Sequence, residues 1–443
     1  MAKIKNKKNS GQKLWLKGKK YILGGNMLLS KRPNLFLPDL WPTYFSKTKS
    51  CFIWDLDNKK YIDMSYMGVG TNILGYNNNR VDREVERAIK KGNISTFNAP
   101  EEVELARKLI SMHKWAYKAK FARTGGEIAS VAIRIARNYS KKNKVAICGY
   151  HGWHDWYLSA NINKKSSLKN HLFDQLNIGG VPKEFGKLTF SFEYNDFDSL
   201  LKVYKKNPDI GVIIMEVKRN FNPKKNFLKK IKNFCTKNKI VLIFDECTSG
   251  FRENFGGLHL KYKIIPDIVL FGKALGNGYA ITALLGNKKV MKEANDLFIS
   301  STFWTERIGS VAGLATLKEM KRIKSWKKIT KIGKIIKEKW KRIFDKYLIE
   351  YEIKGLESIV SFEFKRKNFN VYKTFITQEM LKKGILANNS IYVSIDHDNK
   401  ILKKYFVEFE KVIKKIQILE QKGIKLEKLL ESKASSLGFK RLN

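Results

Sequence analysis

IVLIFDECTSGFRENFGG at 240–257 and PDIVLFGKALGNGYAITALLG at 266–286 are the stretches on which the reading of the fold turns. Residues 241–244 form a short apolar run that leads into Asp245, and residues 268–271 form another that leads, through Gly272, into Lys273. Runs of this length, rich in Val, Ile, Leu and Phe and bounded by Gly or Pro, read as buried strands. An acid and an amine are thereby set at the C-terminal ends of strands, where open α/β sheets hold ligands. A charge taken out of water is costly, so each of the two needs a chemical reason to be there.

The same alternation continues on both sides. Residues 145–148 (VAIC) and 212–215 (VIIM) read as further strands, and a helix carrying Phe227 and Ile231 stands between two of them. Upstream, residues 127–139 give the clearest helix, because Ile128, Val131, Ala132, Ile135, Ala136 and Tyr139 recur at three- and four-residue steps. Residues 80–91 and 101–113 are helical by spacing, with Pro100 at the first turn of the second. Residues 54–62 (WDLDNKKYI) read as a hairpin about Asp57-Asn58. Strands alternating with helices predict an α/β fold with a mostly parallel sheet covered on both faces.

From about residue 312 the pattern changes. KSWKKITKIGKIIKEKWKRIF carries a stripe of Trp326, Ile329, Ile332, Ile336, Trp340 and Ile343, read as core rather than as a membrane-surface face. Strands at 359–364 and 391–395 and helices at 377–383 and 402–416 then suit a smaller α+β domain. The expected organisation is a basic tail (1–20), an N-terminal part of a small domain (21–65), a large domain (66–311) and a C-terminal part of the small domain (312–443). Residues 161–187 are polar and irregular, long enough to serve as a lid.

The formal net charge of +46 at first suggests nucleic acid. The lysines run through the whole chain rather than along one patch, and they far outnumber arginine, the residue whose planar fork reads phosphates and bases. The expectation is therefore a solvated cationic surface with no specific nucleic-acid partner. No apolar stretch approaches bilayer length, the basic start has no apolar run behind it, and the four cysteines are scattered. Together these predict a cytoplasmic protein with free thiols and no membrane association.

Pyridoxal phosphate supplies the reason for Asp245 and Lys273. A lysine amine forms a Schiff base with its aldehyde, and a carboxylate keeps a proton on the pyridine nitrogen so that the ring accepts electrons. Four further features agree. Gly125 and Gly126 open the strongest helix, where free N–H groups and the positive end of the dipole attract an anion; a simple glycine turn is the alternative. Tyr150, directly after the strand VAIC, can stack on a planar ring. His151 and His154 beside it have the spacing of a metal pair, but no other cluster completes a metal site. Glu216 follows the strand VIIM and either contacts substrate or braces the site. In STFWTERIG, Thr302 can donate to a phosphate oxygen, while Thr305 can cap the next helix.

TGGEIASVAIRIAR, GYHGWHD, LIFDECTSGFR, PDIVLFGKALGNGY and STFWTERIGSVAGLATL together resemble the class III aminotransferases of the pyridoxal-phosphate fold type I superfamily, most closely glutamate-1-semialdehyde aminomutases and related aminotransferases. The resemblance implies Lys273 as the Schiff-base lysine and Asp245 as the partner of the ring nitrogen. It implies Gly125 and Gly126 at the phosphate, Tyr150 on the ring, and a homodimer in which Thr302 reaches the neighbouring subunit's phosphate. Arg32 stands near the aminomutase arginine for the substrate carboxylate, and His151 and Glu216 are further substrate-contact candidates.

Several positions depart from the family. Thr-Gly-Gly-Glu replaces the usual Ser-Gly-Thr or Ser-Gly-Ser, Val217 replaces a usual Pro, and Trp304-Thr305-Glu306-Arg307 replaces a small glycine-containing stretch. These departures leave cofactor use intact and favour a transaminase acting between an amino compound and an oxo or aldehyde acceptor, with the aminomutase as the alternative.

Overall fold

The computed structural model describes residues 8–162 and 179–436. These form two compact units, 8–78 with 328–436 and 79–327. The divisions fall at 78/79 and 327/328, where the sequence reading places them at 65/66 and 311/312. Residue 312 lies inside the continuous helix Arg307–Ile323, which ends only at Lys324, in the left-handed conformation common at helix C-termini.

The 79–327 unit is built on a seven-stranded sheet. Its strands lie in the order Lys118–Ala122, Thr282–Gly286, Ile268–Phe271, Val241–Glu246, Ile210–Glu216, Lys144–Cys148 and Thr189–Ser191. Thr282–Gly286 is antiparallel to both neighbours, and the pairings among the other five consecutive strands are parallel. The fold is thus the expected mostly parallel α/β sheet. The antiparallel strand follows Gly278-Tyr279-Ala280, where the sequence reading had no element.

Strand periodicity determines what faces what. Val212 and Ile214, Val241 and Ile243, and Ile268 and Leu270 share one face and pack against Ile128, Ala129, Ala132 and Ile135 of the helix Gly125–Ser140. Two positions on from Ile214 and Ile243 lie Glu216 and Asp245, which are register partners. The same alternation that buries the core against this helix therefore carries two carboxylates to its N-terminal end. Leu242, Phe244 and Glu246 take the opposite face.

In the other unit, Phe45–Lys49, Phe52–Asp55, Lys60–Met64 and Ile385–Ala387 make one sheet, and Tyr351–Leu356, Ile359–Phe364 and Ser390–Tyr392 another. The hairpin at Asp57-Asn58 forms as expected, pairing Trp54 with Lys60. Ile329, Ile336, Trp340 and Ile343 are buried, and the Trp340 indole donates to Tyr405 Oη at 3.1 Å, so this stripe is core. The strand expected at 391–395 is the shorter Ser390–Tyr392, and the helix expected at 377–383 is the longer Phe369–Lys382.

Residues 10–20, expected within a loose basic tail leading into a short helix, lie in the helix Ser10–Tyr21, opened by a reciprocal cap between Asn9 and Gln12. Residues 1–7 and most of the expected lid, 163–178, lie outside the described residues. Among the described residues no helix is long and apolar enough to cross a membrane.

Candidate active site

The site grows from the two carboxylates at the strand ends. Asp245 is buried; its Oδ1 accepts from the Cys247 amide at 3.0 Å, and its Oδ2 lies 2.8 Å from Nδ1 of His151. Burial alone would raise this carboxyl, but the hydrogen bond and charge of His151, with the Cys247 amide, outweigh it and hold the group below its ordinary value. A carboxylate in that state accepts, so His151 Nδ1 carries the hydrogen. His151 Nε2 is buried with no hydrogen-bond partner among the described residues. Glu216, beside Asp245, accepts the Tyr150 amide through Oε2 at 3.2 Å, so it braces the loop that carries Tyr150 and His151.

Lys273 follows Gly272 at the end of its strand and opens the turn Lys273–Gly276 with φ of 40°, left-handed for a residue that is not glycine. Its Nζ donates to Thr248 Oγ1 at 2.7 Å. Between acid and amine stands Cys247. Its Sγ would lie 3.8 Å from a Cβ on Gly125 and 3.4 Å from one on Gly272, so it faces both the helix N-terminus and the turn into Lys273. Burial and the neighbouring Asp245 push this thiol well up, which keeps it neutral.

The helix Gly125–Ser140 starts with a reciprocal cap. Thr124 Oγ1 accepts the Glu127 amide, and Glu127 Oε2 takes the Thr124 and Arg123 amides at 2.7 and 3.1 Å. The amides of Gly125 and Gly126 donate to no acceptor among the described residues. Gly126 has no room for a side chain: a Cβ would stand 2.5 Å from His154 Cε1. Opposite it, Gly152 has φ of 110°, and a Cβ there would be 2.9 Å from Gly126 Cα. Loop and helix end thus meet backbone to backbone, as a phosphate cradle requires.

These residues fit pyridoxal phosphate. Two unclaimed amides at a helix N-terminus suit its phosphate, and a carboxylate held ionised suits a protonated ring nitrogen. An amine beside both suits the aldehyde. Gly125, Gly126, Asp245 and Lys273 are therefore gathered in one unit, with Tyr150 and Glu216 on the adjoining loop and strand. His151, a substrate-contact candidate in the sequence, is the hydrogen-bond partner of Asp245 through Nδ1. His154 stacks on Trp153 at 4.6 Å, and its Nδ1 is buried without a partner among the described residues. Thr302 is exposed at the start of the turn Thr302–Thr305 and stands outside this group. The helix after it is capped by Glu306, which accepts the amides of Ile308 and Gly309 at 2.8 Å, and not by Thr305. Arg32 lies in the other unit, where with Trp15, Lys19 and Asn34 it lines a pocket of about 400 Å³; its Nε is buried without a hydrogen-bond partner among the described residues.

Three features have no counterpart in the sequence reading. Thr248 and Cys247 sit inside a recognised motif, yet their contacts depend on the turn that follows Glu246. Arg123 donates to the carbonyls of Phe303 (3.0 Å), Trp304 (2.7 Å) and Glu306 (2.8 Å), and pairs with the Glu306 carboxylate at 3.1 Å.

The sequence model of the family described as Aminotransferase class-III matches residues 39–421. A 3-aminobutyryl-CoA aminotransferase from Cloacimonas acidaminovorans (strain Evry) is 30% identical over 368 residues, covering 81% of this chain and 84% of its own length. A glutamate-1-semialdehyde 2,1-aminomutase from Methanocaldococcus jannaschii is 29% identical over 430 residues, covering 92% and 98%. Among solved structures, the PLP internal aldimine form of the Sphingopyxis sp. MTA144 FumI protein has a TM-score of 0.82 at 20% identity, covering 95% of this chain and 99% of that one. An omega-transaminase from Sphaerobacter thermophilus has a TM-score of 0.80 at 19% identity, covering 91% and 97%. At such identities the structural likeness is one of fold.

Proposed function

The chain belongs to the class-III aminotransferase family, and from that premise we propose that it is a pyridoxal-phosphate-dependent transaminase. It moves an amino group from an amino compound to an oxo or aldehyde acceptor. Bound pyridoxal phosphate supplies an aldehyde that takes up amino groups and a ring that accepts electrons.

The chain's own residues do the rest. The amides of Gly125 and Gly126 bind the phosphate and Tyr150 covers the ring. Asp245, oriented by the His151 N–H, keeps the ring nitrogen protonated. Lys273 anchors the cofactor and, when its amine is free, takes the proton from the amine-bearing carbon of the substrate and returns it elsewhere. The carrying observation is that the buried acid and the amine flank one side chain, Cys247, at the N-terminus of a helix with two unclaimed amides.

The partners are small molecules and a second copy of the chain. Phe97, Phe298 and Phe303 of the 79–327 unit are 86%, 89% and 71% exposed, which suits a surface that a second copy covers. In that arrangement Thr302 donates to the phosphate of the partner's site. Four free cysteines fit a reducing cytoplasm.

Incubation of the purified protein with single amino compounds, followed by a separate oxo acid, tests the reading. Bleaching of the visible cofactor band by the first and recovery with the second is expected; Lys273→Ala abolishes both and loses the borohydride label. A second reading is favoured by relatives named glutamate-1-semialdehyde 2,1-aminomutase, 28–30% identical over about nine-tenths of the chain. There, glutamate semialdehyde yields 5-aminolevulinate with no added amino donor.

A further inference from the structure

We propose that Thr248 is a positioning residue that holds the Lys273 amine in its working orientation. The proposal rests on the reading of Lys273 as the amine that anchors the cofactor. A lysine stem has four flexible carbons, so its amine points in one direction only if both ends are fixed. The base of Lys273 is fixed by the backbone. Gly272 before it is extended, φ at Lys273 is 40°, and the Leu275 amide closes the turn onto the Gly272 carbonyl at 3.0 Å. The tip is fixed by Thr248 Oγ1, 2.7 Å from Nζ.

Thr248 is itself held. It is buried, and its carbonyl accepts from Nε of Arg252 at 2.7 Å, a guanidinium with no solvent exposure. The turn closes through the Gly250 amide onto the Glu246 carbonyl at 2.8 Å. A Cβ on Gly250 would stand 2.7 Å from Phe271 Cδ1 and 2.8 Å from that carbonyl, so the turn has little freedom to shift. One rigid turn therefore carries two devices: the Cys247 amide on Asp245 and the Thr248 hydroxyl on Lys273.

The hydroxyl can accept from an ammonium and donate to a free amine, so it guides the nitrogen in either protonation state. Its bond to the charged form is the stronger, being charge-assisted. The titratable group next to this nitrogen is the Cys247 thiol, which also feels Asp245 and Glu216, with His151 on Asp245. Thr248→Val leaves all four in place and removes only the hydroxyl.

The test uses the full chain stripped of cofactor, with pyridoxal phosphate as the probe. Capture is followed by the visible band and by borohydride labelling at Lys273, across pH. The wild type and Thr248→Ser should share one pH midpoint. Thr248→Val should show a midpoint lower by roughly one pH unit and a capture rate reduced roughly tenfold, the loss of one charge-assisted hydrogen bond. A Thr248→Val midpoint equal to that of the wild type overturns the proposal, even if less protein is competent, because a merely structural role changes the amount captured and not the midpoint. Failure of the wild type to label at Lys273 would instead remove the reading of Lys273 on which the proposal stands.

Discussion

The Nδ1–H of His151 donates to Oδ2 of Asp245 across 2.8 Å, with the His151 side chain wholly out of solvent and that of Asp245 nearly so. Asp245 must stay ionised in a place that disfavours charge, and His151 is the donor that counters the burial. His151→Phe leaves the carboxylate with the amide and thiol of Cys247. We expect a stability loss of about 2 kcal/mol, a carboxyl displaced upward, and a half-reaction at least about tenfold slower near neutral pH. His151→Asn, which keeps a donor, should lose less. Single-turnover bleaching of the cofactor band, paired with urea unfolding, separates the two effects. Equal half-reaction rates for Phe and wild type would show that Asp245 needs no such partner.

Gly126→Ala places a methyl group on the His154 ring, at 2.5 Å from Cε1. The ring must move, and it lies against Gly152, whose positive φ brings its own backbone to Gly126. The variant should fold with a loss of about 1–3 kcal/mol and bind pyridoxal phosphate at least roughly tenfold more weakly. Fluorescence titration of the stripped protein checks this. Inorganic phosphate should compete less well against the variant too, because the damage is at the anion end.

Much of this arrangement is legible in the chain. The apolar runs ending at Asp245 and near Lys273 announce buried strands, and the stripe from Ile128 to Tyr139 announces the helix that covers them. Local periodicity carries these signals, because a strand repeats every two residues and a helix every 3.6. What stays hidden depends on partners far away in sequence. His151 looks like a substrate contact until the fold brings it to Asp245, 94 residues on. Glu246 looks like part of a motif, yet strand alternation turns it to the other face, where it binds the His259 ring at 2.6 Å and the amides of Leu258 and His259. Thr305 looks like the cap of the next helix, and only the path of residues 301–306 gives that place to Glu306.

On that other face, His113 stacks on His259 with ring centroids 5.3 Å apart. Burial pushes the His113 imidazole down to about 4 from an ordinary 6.5, against the raising effect of the Leu109 carbonyl. Between those values the unfolded chain binds a proton that the folded chain refuses. Stability contributed by this group is therefore complete above about pH 6.5 and is lost as pH falls towards 4, by up to about 3 kcal/mol. His113→Gln, which keeps a donor for Leu109 and does not titrate, should flatten the slope of urea stability between pH 6.5 and 5. An unchanged slope would place the titration elsewhere.

Arg123 ties residues 303–306 to the start of the cofactor helix by three carbonyl contacts and one ion pair, while Trp304 Nε1 donates to Glu127 Oε1 at 3.2 Å. Two side chains of the Trp-Thr-Glu-Arg stretch belong to this clamp, Trp304 through Glu127 and Glu306 through Arg123, while Arg307 pairs with Glu101. A lysine could keep the charge opposite Glu306 but not the planar fork that reaches three carbonyls. Arg123→Lys should therefore lose nearly as much as Arg123→Gln, about 1 kcal/mol, from the lost hydrogen bonds to one exposed and two part-buried carbonyls. Both should open the segment around Thr302 to limited proteolysis and, with Thr302 no longer fixed, speed the loss of pyridoxal phosphate from the assembled enzyme. Cleavage sites mapped by mass spectrometry and cofactor off-rates measured on the same samples provide the check. Wild-type behaviour of Arg123→Lys would mean that the Glu306 ion pair alone holds the segment, and that the carbonyl contacts contribute little.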